Sequence, residues 1–388
     1  MISTQIGKQT LPRQKTALVL SGGGSRGAYE AGAWQALEET GIRIDIAVGA
    51  SVGAINSAMV CQGDLDQTIR LWKEIETHMV FDVPEGSQTI DYAKEIFANG
   101  GAGTSGLKEL LSDYIDESRI RKSKVDYGLV VVERNTLKPR YLFKEDIPKG
   151  QLIDYIMASS SVFPAIHPYE IDGIEYIDGG YADVLPIGLA LEKKPTRTIA
   201  VKLNAIGVLR YEPLRRARNL TIVESGWDLG STLVFDTRNA RRIMRLGYLD
   251  TLKALKVFDG KYFAFAKGDF SKYDLKLADS CAHIMGLDPM LVYTRKSFIP
   301  AVAKAVVDSQ KDVEEAFEAF KKFKVRHIHV AEVIHDIKSL TSPRAMCLVI
   351  AQNLKERGPD SMYMSHTAFT LIPEQIHAAR FLVKFGLI

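Results

Sequence analysis

Apolar positions fall in short continuous runs through the first half of the chain and in longer periodic stretches through the second. Thr16-Ala-Leu-Val-Leu-Ser21 is an apolar run ending in glycines, the pattern of a buried parallel strand. Ala28 to Glu39 then spaces its apolar residues as a helix, stopped by Gly41. Ile44 to Val48 predicts a second strand, and the small, apolar run Val52 to Cys61 predicts a buried helix behind it. Asp64 to Ile75 has amphipathic spacing with an aspartate start, and Leu107 to Ile115 reads as a further helix. Between them, glycine-rich Asn99 to Gly106 reads as a connector rather than a lid. Asp126 to Glu133 and Pro139 to Phe143 predict two strands joined by a turn. Ile166 to Ile171 looks like another strand, and Thr198 to Leu203 is expected to be the last of the sheet.

Beyond that point the pattern changes. Leu214 to Gly247 reads as helical and rich in arginine: Arg215, Arg216, Arg218, Arg238, Arg241, Arg242 and Arg245. These suit either contact with anionic lipid headgroups or a solvated face making internal ion pairs. Lys261 to Ala266 predicts a short strand, Val302 to Phe323 a long amphipathic helix, and Gln375 to Ile388 an apolar and basic helix. The expected organisation is a tail over 1–14, an α/β domain over 15–210, and a mainly helical region over 211–388. That last region could serve as a lid, a dimerisation element or a membrane contact.

Chemistry concentrates at the ends of the predicted strands, where open α/β sheets bind ligands. Gly49-Ala50-Ser51-Val52-Gly53 is a GxSxG, whose small residues let a strand turn sharply into a helix with serine at the apex. Gly22-Gly23-Gly24-Ser25-Arg26-Gly27 offers backbone N–H groups for an oxyanion, and Asp178-Gly179-Gly180 offers a carboxylate after an apolar strand. Helix N-termini there favour the negative charge of an alkoxide or a tetrahedral intermediate. Together the three point to a serine acyl hydrolase.

Each motif alone has a plainer reading. The first could be a dinucleotide loop with Asp45 as a ribose-binding acid, but Asp45 lies mid-strand in a run leading straight to Ser51. Gly49 and Gly53 could merely allow close helix packing, and Asp178-Gly179 could be a turn. A nucleotide-binding or regulatory α/β module with an inactive hydrolase-like site is therefore the alternative. Among the histidines, His167 lies between Ser51 and Asp178 but reads as a strand-surface residue. His327 and His329 alternate without a third ligand, so no metal site is assigned.

The chain resembles the patatin-like phospholipases, lipid acyl hydrolases with a serine–aspartate dyad. The resemblance covers about residues 15–210. It rests on Ser21–Ala28, Val48–Asn56, Ala158-Ser-Ser-Ser-Val-Phe-Pro-Ala165 and Tyr176-Ile-Asp-Gly-Gly-Tyr-Ala-Asp-Val-Leu-Pro186, in that order. It implies a three-layer α/β fold with a patatin-like sheet flanked by helices. It also implies Ser51 as nucleophile, Asp178 as general base, and Gly22, Gly23, Gly24 and Gly27 as the oxyanion loop. Gly49, Gly53, Gly179 and Gly180 would support the turns, while Arg26 would order the glycine loop or pair with a phosphate. No cofactor is implied, and the partner is a phospholipid or other fatty-acyl ester. Transfer of the acyl group to another alcohol is a close variant of the same chemistry.

Composition adds little beyond compatibility. The 388 residues are 46% hydrophobic and 25% charged, as in a folded protein, and a net charge of +3 gives no reason to expect nucleic acid. Cys61, Cys281 and Cys347 are scattered and odd in number, which reads as reduced thiols in a cytoplasmic setting. Met1 to Lys15 is polar, without the apolar core of a signal peptide, and no apolar run approaches about 20 residues. Peripheral membrane contact and self-association are both compatible with this composition.

Overall fold

The computed structural model describes residues 14–82, 101–309 and 342–388. The chain forms two compact units, residues 1–254 and 255–388. In the first, eight strands make one mixed sheet. β1 (Thr16–Leu20) lies at its centre, parallel to β2 (Ile46–Gly49) on one side and β7 (Arg197–Lys202) on the other. All five residues of β1 are buried. Ala17 and Val19 pack against Val184, Ile187 and Ala190. Leu18 and Leu20 face the opposite way by the period-two alternation of a strand, so both faces are covered by helices.

β1 leads through the glycine loop into α1 (Gly27–Glu39), and β2 leads through Ser51 into α2 (Val52–Gln62). α2 is buried at every position. α3 (Leu65–Glu74) starts at Asp64, whose side chain accepts from the Gln67 N–H as an N-cap. β3 (Asp126–Glu133) pairs parallel with β2 and antiparallel with β4 (Pro139–Phe143). After α4 (Leu152–Ser159), the hairpin of β5 (Tyr169–Ile171) and β6 (Ile174–Asp178) joins antiparallel to β3. A short helix, α5 (Gly180–Asp183), follows at once.

Three expectations need correction. Thr198 to Leu203 is not the last strand, because β8 (Leu220–Glu224) adds parallel to β7 beyond it. That strand also interrupts the helix expected over Leu214–Gly247. Only α6 (Tyr211–Arg216) and α7 (Thr237–Ala254) are helical there. Val223 is buried while Ile222 is exposed, so β8 is an edge strand with half the apolar signal of a central one. The compact unit also runs to Ala254, past the boundary expected at 210. α7 holds it there, because a Cβ on Gly32 would lie 1.9 Å from Met244 O and one on Gly247 2.0 Å from Tyr29 O. Only glycines let α1 and α7 approach so closely. Tyr29 also donates to Asp250 Oδ2 at 2.8 Å.

The second unit is mainly helical, with helices Lys272–Met285, Arg295–Asp308, Pro343–Arg357 and Pro373–Lys384. It also holds a small three-stranded sheet, in which Ala264–Ala266 is the strand predicted over Lys261–Ala266. Phe265, Phe270, Phe298 and Phe381 pack edge to face as its aromatic core. Of the helix expected over Val302–Phe323, residues 310–323 lie outside the described residues, as do the tail 1–13, residues 99–100, His327 and His329. The three cysteines are buried and free. Among the described residues, no helix is long and apolar enough to cross a membrane.

Candidate active site

Ser51 sits between β2 and α2 with φ 55° and ψ −130°, a conformation costly for any residue but glycine. Its neighbours show why the turn can close. A Cβ on Gly49 would lie 2.1 Å from the Gly53 carbonyl, and one on Gly53 would lie 2.3 Å from Leu20 O. The Ser51 N–H donates to Ser159 Oγ at 3.0 Å, and Ser159 Oγ donates to Val130 O at 2.7 Å. Ser159, at the end of α4, thus braces the turn against β3. The Val52 N–H, at the start of α2, donates to no group among the described residues.

Asp178 ends β6 and is only 3% exposed, beside Ser51 at 9%. One carboxylate oxygen, Oδ1, accepts from the Gly180 N–H at 2.6 Å. The other, Oδ2, is buried and completes no hydrogen bond of ordinary geometry. Burial drives the Asp178 pKa up to about 6. The Ser51 hydroxyl at short range and the Gly180 N–H both oppose the rise. An open lone pair therefore lies close to Ser51 on a carboxylate more basic than an ordinary aspartate. Segment 159–161 steadies this residue too, since Asp178 N donates to Ser161 O at 2.9 Å and Gly179 N to Ser159 O at 3.3 Å. Gly179 is required because a Cβ there would meet Val130 O at 2.2 Å.

The glycine loop lies against the same turn. A Cβ on Gly22 would sit 3.3 Å from Ser51 Cβ and 3.3 Å from Val184 Cγ2. Its N–H groups divide sharply. Gly22 N–H donates to Val184 O at 2.9 Å, and Gly27 N–H donates to Gly24 O, so both are engaged. Gly23 and Gly24 N–H donate to no group among the described residues. Gly24, at φ 55°, turns the loop. Of the four glycines expected to bind an oxyanion, two thus have their donors open. Val52 adds a third open donor that the motif reading left out. Its signal was its place directly after the serine of a GxSxG.

Arg26 resolves between its two expected roles. Its guanidinium donates twice to Gly230 O, at 2.7 and 2.9 Å, and to Leu203 O and Asn204 O at 3.1 and 3.0 Å. It ties the glycine loop to the segments after β7 and β8, leaving little capacity for a phosphate. His167 follows the residue that bridges to Ala102 and stands beside Gly101 of the glycine-rich connector. Asp45 precedes β2 and its Oδ2 accepts from the Thr16 N–H at 3.0 Å, an inter-strand tie rather than a ribose ligand. Among the described residues, no three His, Cys, Asp or Glu side chains are placed to hold a metal.

Residues 18–191 match the family model described as patatin-like phospholipase. An uncharacterized NTE family protein of Mycobacterium tuberculosis is 28% identical over 190 residues, 49% of this chain and 49% of its own. Lysophospholipase NTE1 of Kluyveromyces lactis is 25% identical over 324 residues, 80% of this chain and 21% of its own. Patatin-like phospholipase domain-containing protein 7 of Rattus norvegicus is 28% identical over 195 residues, 49% of this chain and 14% of its own. The matched part of the chain thus spans about half or less of the length of these curated relatives. The crystal structure of VipD from Legionella pneumophila aligns over 97% of this chain and 92% of its own, at 14% identity and a TM-score of 0.42.

Proposed function

Residues 18–191 place this chain in the patatin-like phospholipase family, and from that premise we propose that it is a lipid acyl hydrolase working through a Ser51–Asp178 dyad. The observation that carries the reading is the unpartnered Asp178 Oδ2 beside a serine held at positive φ. A serine hydroxyl must lose its proton as it attacks, and a buried carboxylate with a raised pKa is a competent acceptor.

Ser51 Oγ adds to the acyl carbonyl of the ester while its proton passes to Asp178 Oδ2. The oxyanion that forms is received by the open N–H groups of Gly23, Gly24 and Val52. A donor of this kind is typically worth about 3–4 kcal/mol in the transition state. Collapse breaks the ester bond, and the leaving alcohol takes the proton from Asp178. Water then attacks the acyl-serine, gives its proton to the same carboxylate, and releases the fatty acid with Ser51 restored. The substrate class is a phospholipid or lysophospholipid; the name lysophospholipase on one relative and the family of residues 18–191 both support it. A different acceptor alcohol in the second half would make the same site an acyltransferase.

The test is fatty-acid release from phospholipid, lysophospholipid and neutral-lipid vesicles, read by mass spectrometry, beside folded Ser51→Ala and Asp178→Ala proteins. Release by the wild type and loss in both variants supports the dyad. A folded wild type that releases nothing and does not react with a serine-directed probe favours the inactive binding module.

A further inference from the structure

Glu30 stands on the first turn of α1 and is wholly buried, at 0% exposed. A carboxyl so placed needs polar partners, because burial without them is costly. The partner comes from the neighbouring helix. Asn56 of α2 donates from Nδ2 to Glu30 Oε2 at 2.9 Å and to Gly27 O at 3.0 Å. The amide can face only one way. Trp72 Nε1 of α3 donates to Asn56 Oδ1 at 3.0 Å, and an indole N–H has no acceptor role, so Nδ2 must turn to Glu30. One buried amide thus joins three helices.

This network lies directly behind the glycine loop and the serine turn. Gly27, whose carbonyl it binds, opens α1 at the end of the loop. A Cβ on Gly27 would lie 2.4 Å from Val52 Cγ2 and 2.6 Å from Trp72 Cζ2, so the starts of α1 and α2 abut. On its other side Glu30 approaches Ser21, the residue before Gly22. Burial drives the Glu30 pKa well up, and the Asn56 amide and the Ser21 N–H oppose the rise. Oε1 completes no hydrogen bond of ordinary geometry.

The open donors of the site come from two separate segments. Gly23 and Gly24 precede α1, whereas Val52 begins α2. Donors serve an oxyanion only if they converge on one point about 3 Å away. Arg26 ties the loop toward Gly230, and Ser159 ties the turn toward β3, so neither tie joins the two segments to each other. Among the described residues, the Asn56 side chain makes the only hydrogen bonds between α1 and α2.

We propose that Glu30 is a positioning residue for hydrolysis: through Asn56 it holds the start of α1 against the start of α2, and so aims the Gly23, Gly24 and Val52 donors at one oxyanion. A carboxyl kept protonated by burial can do this without setting a negative charge behind the developing one. The inference rests on the hydrolase reading and adds to it a residue that meets no substrate.

The test compares wild type, Glu30→Gln and Glu30→Met, two substitutions close to glutamate in volume that leave the packing in place. Three readouts are taken: kinetics on a soluble short-chain ester, inhibition by a trifluoromethyl ketone that mimics the tetrahedral intermediate, and hydrogen exchange of peptides covering 27–32 and 52–58. Glu30→Met removes the acceptor for Asn56. Its kcat should fall about ten- to a hundredfold with KM changed by less than about twofold. Ketone inhibition should weaken by the same factor, and both peptides should exchange faster. Glu30→Gln still accepts from Asn56 and should recover most of the rate and the protection. A Glu30→Met protein as active as wild type, a loss carried by KM, or a glutamine variant no better than the methionine one would overturn the proposal. If the wild type hydrolyses no ester, faster exchange in Glu30→Met but not in Glu30→Gln would uphold the clamp and remove the hydrolase reading alone. Unchanged exchange in both variants would overturn the clamp itself.

Discussion

Gly49 and Asp178 stand two residues apart along one strand, opposite Leu129 and Val131 of β3. β4 pairs with Gly128–Val132 and so occupies the other edge, which leaves β2 and β6 to share this one. β2 runs parallel to β3 and β6 antiparallel, so their carboxyl ends meet head to head at Val130. One strand end delivers the serine turn and the other the carboxylate. Ser159 bonds the junction from above by accepting from Ser51 N and donating to Val130 O.

Replacing the carboxylate isolates the base from the fold. Asp178→Asn keeps an acceptor for the Gly180 N–H but cannot take a proton. Hydrolysis should fall about 10²–10⁴-fold. The melting temperature at neutral pH should hold or rise, because a buried charge has gone. Parallel kinetics and thermal melts check both; a proportionate loss of stability and activity would point to a structural role instead.

The Asp178 pKa near 6 fixes the shape of the acid limb. Only the ionised carboxylate accepts the serine proton, so kcat/KM should rise with pH and level off above about 6. An ordinary aspartate would place that limb near 4. A profile flat from pH 5 to 8 would contradict the raised value.

Much of this site is legible in the sequence because its parts are local. The glycines at 49 and 53 forecast the turn at Ser51, and each is required because a Cβ there would lie just over 2 Å from neighbouring backbone. What no local pattern carries is the spending of the donors. Gly22 and Gly27 look equivalent to Gly23 and Gly24 in sequence, yet their N–H groups bond to Val184 O and Gly24 O. The bracing by Ser159 was equally hidden, because it depends on a contact 108 residues away in the chain. β8 was lost for a different reason. Its exposed Ile222 and the arginines before it blurred the alternation that marks a strand.

Ser159→Ala tests the brace. It leaves the Ser51 N–H without its acceptor in a buried place, a loss of about 1–3 kcal/mol. Activity should fall while KM changes little, because Ser159 positions the turn without meeting substrate. Ser159→Thr, which keeps the hydroxyl, should recover part of the rate; no recovery would argue against the hydrogen bond as the cause.

Arg26→Lys separates loop ordering from phosphate binding. The lysine cannot span Gly230 O, Leu203 O and Asn204 O together, so the open donors of Gly23 and Gly24 should lose their placement. Rates on a neutral soluble ester and on a phospholipid should drop by the same factor. A loss confined to the phospholipid would instead assign Arg26 to the headgroup.

Asp183 offers a check on stability rather than catalysis. It is buried on α5 with Oδ1 unpartnered, and burial lifts its pKa to about 7 against the pull of Arg210. A folded-state pKa above the unfolded value means that ionisation opposes folding. The penalty grows from about pH 4 to about 7 and is complete above that. Asp183→Asn should therefore raise the melting temperature more at pH 8 than at pH 5, and an equal or reversed gain would contradict the assignment.

The most direct measurement is covalent: intact-mass and peptide mapping after reaction with a fluorophosphonate, for the wild type, Ser51→Ala and Asp178→Asn. A single adduct on Ser51, absent in Ser51→Ala and formed far more slowly in Asp178→Asn, is the result expected of a serine activated by that carboxylate. A folded wild type that takes no label, labels at another residue, or labels as fast in Asp178→Asn would contradict the dyad.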